Sequence, residues 1–406
     1  DAIDQVVADQ AATCFEGYEA LDHASCVQAL VVNGEPASTA KAGDAVQVVL
    51  DTTPFYGEGG GQVGDRGVLA GSDLIVRIES VSRSRDVFVH AGRVERGKLA
   101  LGDTVNAQVD RASRRRAQAN HTATHLLQAA LKQVVDPGIG QAGSLVDFDR
   151  LRFDFHCPTA VTADQLQQVE TLINGWINEA HALQVQEMAI DQAKAAGAVA
   201  MFGEKYADVV RVVDVPGVSM ELCGGTHVAN TAEIGLFKIV AESGVAAGIR
   251  RIEAVAGPAV LAYLNERDAV VKQLGDRFKA QPAEIVDRVA ALQEELKATG
   301  KALAAAQAEL AVAKAGALAA KAEAVGDFQL LVERLDGVDG AGLQGAAQSL
   351  ADQLGDGAAV VIGGLPDPGD MGKVILVAAF GKQVIAAKLQ AGKFIGGIAK
   401  QCGGGG

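Results

Sequence analysis

The chain has 406 residues, and its 49% apolar and 21% charged content describes a folded, water-soluble protein rather than a disordered or fibrous one. A net charge of −14 excludes a protein that coats nucleic acid through bulk charge, although a single basic face is compatible with it. No run approaches the roughly 18 consecutive apolar residues that mark a membrane span.

The length exceeds one ordinary core, so about two to four domains are expected. The acidic, polar start DAIDQVVADQ lacks the basic-then-apolar order of a signal peptide. With no initiator Met and a CGGGG end, the chain reads as a fragment or mature piece of something longer. Cys14, Cys26, Cys157, Cys223 and Cys402 are scattered and odd in number. That is no disulfide framework, and a reducing, cytoplasmic setting is expected.

Residues 1–109 read as strands and turns. AVQVVLD (45–51), DLIVRIESV (73–81), DVFVHAGRV (86–94) and DTVNAQVD (103–110) alternate, carry β-branched residues and are separated by Gly- and Asp-bearing turns. Such short, closely spaced strands predict a small barrel. Between two of them TTPFYGEGGGQVGDRG (52–67) holds three successive glycines, which allow a tight turn and close backbone approach to a ligand. Gln62 follows them and is expected at the loop tip.

At Asp110 the period changes. DRASRRRAQANHTATHLLQAALKQVVDPG predicts a helix, with Asp110 as N-cap and Asp136-Pro137-Gly138 as its stop. Its start holds the densest basic cluster, Arg111 to Arg116, which by itself is an ordinary solvated helix end. LRFDFHC (151–157) and VVRVVDV (209–215) read as strands, and Thr162 with Gln165 forms a capping-box pattern ahead of an amphipathic helix. Residues 110–257 are therefore expected to be α+β. From 258 to 326 the chain is rich in Ala, Glu, Lys, Gln and Leu. Ile285, Val289, Leu292, Leu296, Leu303 and Leu310, with Thr299 and Ala306 in the gaps, keep a 4-3 heptad spacing that predicts a helical or coiled-coil segment. Residues 327–406 hold two buried-strand runs, AAVVIGGL and KVILVAAF, and read as a small α/β domain.

His121 and His125 stand four apart, which on a helix places both on one face within reach of one ion. Two polar residues on a wet helix face would have the same spacing. CGGTH supplies a second four-residue pair, Cys223 and His227, across a glycine turn. Two such pairs among only seven histidines point to a His₃Cys set, which suits tetrahedral zinc. HTATH has no Glu after its first His, so the metalloprotease base is missing. Four protein ligands normally make a structural site, whereas catalysis needs an open position. Either Cys223 yields its place to water, or zinc organises a pocket in which another group positions the water.

The ordered stretches FYGEGGGQVGDRG, RASRRRAQANHTATHLLQAAL, GSLVDFDRLRFDF, AMFGEKYADVVRVV, ELCGGTHV, GIRRIEAVAG and LQAGKFIGGIAKQCGGGG resemble the C-terminal half of alanyl-tRNA synthetases. That region comprises an editing domain followed by a coiled-coil and DHHA1 C-terminal domain. Threonyl-tRNA synthetase editing modules share the HxxxH and CxxxH pairs but lack the later segments. The resemblance implies hydrolysis of the ester joining serine or glycine to alanine tRNA. Such a step is needed because a pocket for alanine cannot exclude glycine and discriminates weakly against an added hydroxyl. It implies His121, His125, Cys223 and His227 as zinc ligands. It implies Gln62, Thr53 and Cys223 as catalytic-site residues, with Thr53 contacting the serine hydroxyl and Pro54 standing beside it where the family has an apolar residue. Arg114, Arg115, Arg116, Arg250 and Arg251 are implied as contacts to tRNA(Ala), and the helical and C-terminal segment as a route to a homodimer.

No Rossmann or phosphate-loop motif and no counterpart of the class II activating domain is found, so ATP is expected to serve only the parent ligase. Neither a membrane nor DNA is expected as a partner. The alternative to an editing enzyme is a non-catalytic tRNA-binding and dimerisation module with a structural zinc. A chain whose histidines bind no metal is the third possibility.

Overall fold

A computed structural model describes residues 2–8, 10–199, 207–369, 372–401 and 403. Residues 200–206 of the AMFGEKYADVVRVV stretch, and Cys402 with 404–406, lie outside the described residues. The chain divides into two compact units, Asp1–Ala269 and Val270–Gly406.

The first unit begins with a closed, six-stranded antiparallel barrel. Its strands run in the order Asp22–Val32, Ala45–Leu50, Val87–Arg96, Ile75–Ser84, Gly67–Ala70 and Thr104–Val109. The last pairs with the first, Thr104 opposite Cys26 through Gln108 opposite Asp22, and so closes the ring. Period-2 alternation turns Val48, Leu50, Leu69, Val76, Ile78, Val94, Val105 and Ala107 inward around Phe55, all at most 1% exposed. The expected barrel is present. It gains two strands that the sequence pattern conceals: the short Gly67–Ala70 directly after the glycine loop, and the longest, Asp22–Val32, where His23, Ser25 and Gln28 interrupt the apolar signal.

Directly after the barrel comes the helix Arg111–Val134. The Asp110 carboxylate accepts the Ser113 N–H at 2.7 Å, satisfying one of the donors a helix start leaves open. The helix ends as expected before Asp136-Pro137, since proline cannot continue it. Its middle, residues 119–128, is buried all round, so it is the spine of the unit and not a surface helix. A four-stranded sheet lies against it, in the order Gln141–Val146, Leu151–His156, Ile249–Ala256 and Phe237–Ala246. The capped helix Ala163–Asn178 lies beside it, and its Thr162–Gln165 capping box is formed. Phe153 and Phe155 are fully buried in the shared core, each contributing about 2 kcal/mol through apolar burial. A three-stranded antiparallel sheet, Gln184–Ala189, Val209–Val215 and Ser219–Leu222, carries the chain to the Cys223 turn.

In the second unit the helix Ile285–Gly316 packs through Ala311 and Ala315 into a core shared with helix Gly340–Leu354. The adjoining mixed sheet runs Glu323–Val325, Phe328–Arg334, Ala358–Gly364, Ile375–Phe380. Leu296, Leu303 and Leu310 of the heptad spacing are more than half exposed, so within this unit the seam is an uncovered stripe. The stretch Pro282–Lys321 is long and apolar enough to cross a membrane by length and composition, at a mean hydropathy of 1.2 reached mainly through alanine. That differs from the sequence expectation, because alanine raises the average without forming a strongly apolar run.

Candidate metal centre

The Arg111–Val134 helix carries His121 and His125 one turn apart, and the loop after strand Ser219–Leu222 brings Cys223 and His227 to meet them. One donor atom from each of the four lies within 4.8 Å of all the others. Cys223 Sγ is 3.5 Å from His121 Nε2 and 3.3 Å from His227 Nε2. Gly225 makes this approach possible, since a Cβ there would run into the His121 ring.

Hydrogen bonds fix which nitrogen faces inward in two of the three rings. Gln62 Oε1 accepts the Thr226 N–H at 2.9 Å, so the same oxygen, 2.7 Å from His121 Nδ1, must accept a proton from the ring. In the neutral ring His121 Nε2 is then a lone pair aimed at the cluster. Thr122 Oγ1 donates its only proton to the Gln118 carbonyl at 3.0 Å, so at 3.1 Å it accepts from His227 Nδ1. His227 Nε2 is therefore a lone pair as well. His125 Nδ1 has no hydrogen bond and lies 3.6 Å from Glu221 Oε2. Outward Nδ1 atoms on oxygen acceptors are what orient and strengthen imidazole ligands. The three imidazoles and one thiolate fit a borderline-soft tetrahedral cation.

The protons in the cluster are unevenly held. Burial would raise the Cys223 thiol, but His121, His227 and His125 together bring it well below its usual value and favour the thiolate. Burial pushes His227 down to about 3. Burial also opposes charge on His125, but the Glu221 carboxylate and Cys223 outweigh it and raise that ring to about 9.

The cluster opens onto a cavity of about 350 Å³. His121, His125 and Cys223 form its floor. Phe15, Tyr18, Tyr56 and Phe88 form an aromatic wall, and Thr124, Gln141 and Ser144 supply polar groups. Thr124 and Gln141 carry no sequence signal of a role, one being an unremarked residue inside HTATH and the other a strand start. Tyr18, Arg211 and Glu221 also enter the site from positions that no motif spacing marks.

Other expected site residues lie elsewhere or act differently. Gln62 is not at a loop tip but wholly buried, with its Oε1 2.7 Å from His121 Nδ1. Thr53 is also wholly buried. Its hydroxyl donates to His90 Nε2 at 2.7 Å and accepts the Phe55 N–H at 3.1 Å, which leaves it outside the cavity lining. Arg114 is only 1% exposed, because its guanidinium is clamped by Asp65 and by the Gly17 and Pro54 carbonyls. Each of its guanidinium nitrogens is thereby engaged within the protein. Arg115 and Arg116 remain surface residues, paired with Glu233 and Asp149. Arg250 and Arg251 already engage Glu242 and Asp154 through two-pronged pairs.

Residues 1–113 match a family model described as class II (A) tRNA synthetases, and residues 210–253 match the threonyl and alanyl tRNA synthetase second additional domain. Over 406 residues, all of this chain, the sequence is 98% identical to an alanine–tRNA ligase of Synechococcus sp. (strain CC9605). The whole chain is similar to alanine–tRNA ligases. Identity is 91% to the alanine–tRNA ligase of Parasynechococcus marenigrum (strain WH8102) and 77% to that of Prochlorococcus marinus (strain MIT 9303), again along the whole chain. The chain spans 46% of the length of each of these ligases. The second-additional-domain match contains Cys223 and His227, so two of the four clustered residues lie in a segment matching a domain described for threonyl and alanyl tRNA synthetases. The class II match covers the barrel, where no class II motif was expected.

Proposed function

We propose that this chain is the editing portion of an alanine–tRNA ligase, a zinc-containing deacylase that removes serine or glycine from tRNA(Ala). The observation that carries the reading is a four-residue His/Cys cluster, three of whose members line a cavity bordered by polar and aromatic groups. Similarity to alanine–tRNA ligases and the match to the threonyl and alanyl additional domain support it. His121, His125, Cys223 and His227 would hold the zinc. When bound, zinc supplies Lewis acidity to the ester carbonyl or the attacking water. Gln62 and Thr122 keep His121 and His227 in the ligating tautomer, while Glu221 keeps its carboxylate beside His125. Thr124, Gln141 and Ser144 are positioned to read a serine hydroxyl, and Tyr18, Tyr56, Phe15 and Phe88 exclude water from the acyl group. Arg115 and Arg116 would exchange their surface partners Glu233 and Asp149 for tRNA phosphates.

In this reading residues 1–109 and 110–257 form the editing region. Residues 258–326 would supply the helical segment and 327–406 the DHHA1-like tRNA-binding domain, with the exposed heptad stripe mediating a homodimer in the cytoplasm. The parent protein would join alanine to tRNA(Ala) with ATP. A second reading, a tRNA-binding module with a structural zinc, is favoured by the count of four protein ligands.

Labelled Ser-tRNA(Ala), Gly-tRNA(Ala) and Ala-tRNA(Ala) given to the zinc-loaded chain decide between them. Loss of serine and glycine with alanine retained supports editing, and tight binding without hydrolysis supports the second reading. Pyrophosphate exchange tests the class II match directly, with no alanyl-adenylate formation expected.

A further inference from the structure

We propose that the Gly224 backbone N–H is the oxyanion donor of the deacylase site, and that Arg211 is the residue that aims it. This inference rests on the deacylase reading.

Three successive carbonyls of the metal-ligand turn are held by two side chains. Arg211 Nη1 donates to the Cys223 carbonyl at 2.8 Å and to the Gly225 carbonyl at 2.9 Å. The Tyr18 hydroxyl donates to the Gly224 carbonyl between them at 2.6 Å. The Arg211 guanidinium also lies 4.0 Å over the Tyr18 ring, so the two side chains brace each other. Arg211 is itself fixed by the sheet, where its carbonyl accepts the Cys223 N–H at 3.0 Å.

In a trans peptide the carbonyl and the next residue's N–H point in opposite directions. Holding these carbonyls on one side therefore turns the N–H groups of residues 224, 225 and 226 to the other. Two of the three have partners there. Gly225 N–H meets Cys223 Sγ at 3.4 Å, and Thr226 N–H meets Gln62 Oε1 at 2.9 Å. The Gly224 N–H has no hydrogen-bond partner among the described residues, and Gly224 is exposed and borders the cavity next to Cys223. One aimed, unused donor thus stands beside the metal ligands.

Ester hydrolysis has a use for it. As the water oxygen bonds to the ester carbon, the C=O electron pair moves onto the carbonyl oxygen, and one proton of the water passes to bulk solvent, which returns it to the ribose oxygen in the next step. When the C=O bond re-forms, the bond to the ribose oxygen breaks and that oxygen takes a proton. Negative charge sits on the former carbonyl oxygen between the two events. A backbone N–H already pointing at that position stabilises the charge without reorganising at the moment of reaction.

The test compares the wild-type chain with Arg211→Met and Arg211→Lys. Removing one such donor costs about 10²-fold in kcat. Arg211→Met is therefore expected to lose that factor on Ser-tRNA(Ala), with KM unchanged and one zinc per chain retained. Its affinity for a phosphonate analogue of 3′-seryl-adenosine should fall by the same factor. Binding of the uncleavable 3′-serylamino analogue, which carries no oxyanion, should not change. Arg211→Lys should recover part of the loss, since an ammonium can still hold one carbonyl. Loss of zinc in Arg211→Met, or equal weakening toward both analogues, would make Arg211 a structural strut and overturn the assignment. A wild-type chain that binds tRNA without hydrolysing it would instead remove the deacylase reading, and this assignment with it.

Discussion

Replacing Gln62 separates orientation of the metal site from mere burial. In Gln62→Leu, His121 Nδ1–H loses its acceptor, and the ring is free to turn or to change tautomer. Loss of such an outer partner weakens metal binding about 10- to 100-fold, or about 1.4–2.7 kcal/mol. The Thr226 N–H is orphaned in the same variant, so folding stability should also fall by about 1–3 kcal/mol. Gln62→Glu keeps an oxygen for both N–H groups and offers its second oxygen to the Thr226 hydroxyl, which now accepts from Gln62 Nε2 at 2.9 Å. That variant should bind zinc as tightly as the wild type or more so. Zinc affinity is read by competition against a chromophoric chelator, and stability by urea unfolding of the apo chain. Wild-type affinity in Gln62→Leu, or a Gln62→Glu variant weakened as much as Gln62→Leu, would refute this role for Gln62.

Other outcomes follow from neighbouring features. Arg114→Met leaves Asp65 charged and buried, and should cost about 3–5 kcal/mol in urea unfolding, whereas Arg115→Ala should cost less than about 1 kcal/mol. Gly225→Ala forces a methyl group into the His121 ring, so the purified variant should retain no stoichiometric zinc by elemental analysis. Burial depresses His90 to about 4, against the partial support of its bond to the Val48 carbonyl. A lowered histidine pKa means that the unfolded chain binds more protons between about pH 6.5 and 4. The stability it confers is thus present above pH 6.5 and lost as pH falls toward 4, by up to about 3 kcal/mol. Urea unfolding at pH 7 and pH 4.5 should show this slope in the wild type, and His90→Gln should flatten it.

Much of this architecture is legible in the sequence, for reasons that can be named. The two four-residue ligand pairs could be found because a helix face and a glycine turn each fix the geometry between their own ends. Asp110, Thr162 and Gln165 could be found because caps are local. What escaped depends on distant partners. A run of arginines reads as a wet helix end, and nothing nearby shows that Arg114 meets Asp65 across 49 residues. Thr53 sits in a loop that looks functional, yet its hydroxyl serves His90, 37 residues away. Gln62 reads as a loop-tip residue in the sequence, yet its direction depends on Thr226, 164 residues away. The heptad spacing is real in the sequence, but spacing does not say what covers the stripe.

The metal cluster also has a topological consequence. Cys223 and His121 lie 102 residues apart, and His227 and Thr122 are 105 apart. An ion held there would tie the middle of the helix that follows the barrel to a turn that is synthesised much later. In the chain-entropy picture a cross-link closing a loop of that length removes about 4.7 kcal/mol of disorder from the unfolded state. Zinc at this position would therefore act as a clasp on the unfolded ensemble as well as a reagent. It could engage only after the CGGTH segment had left the ribosome.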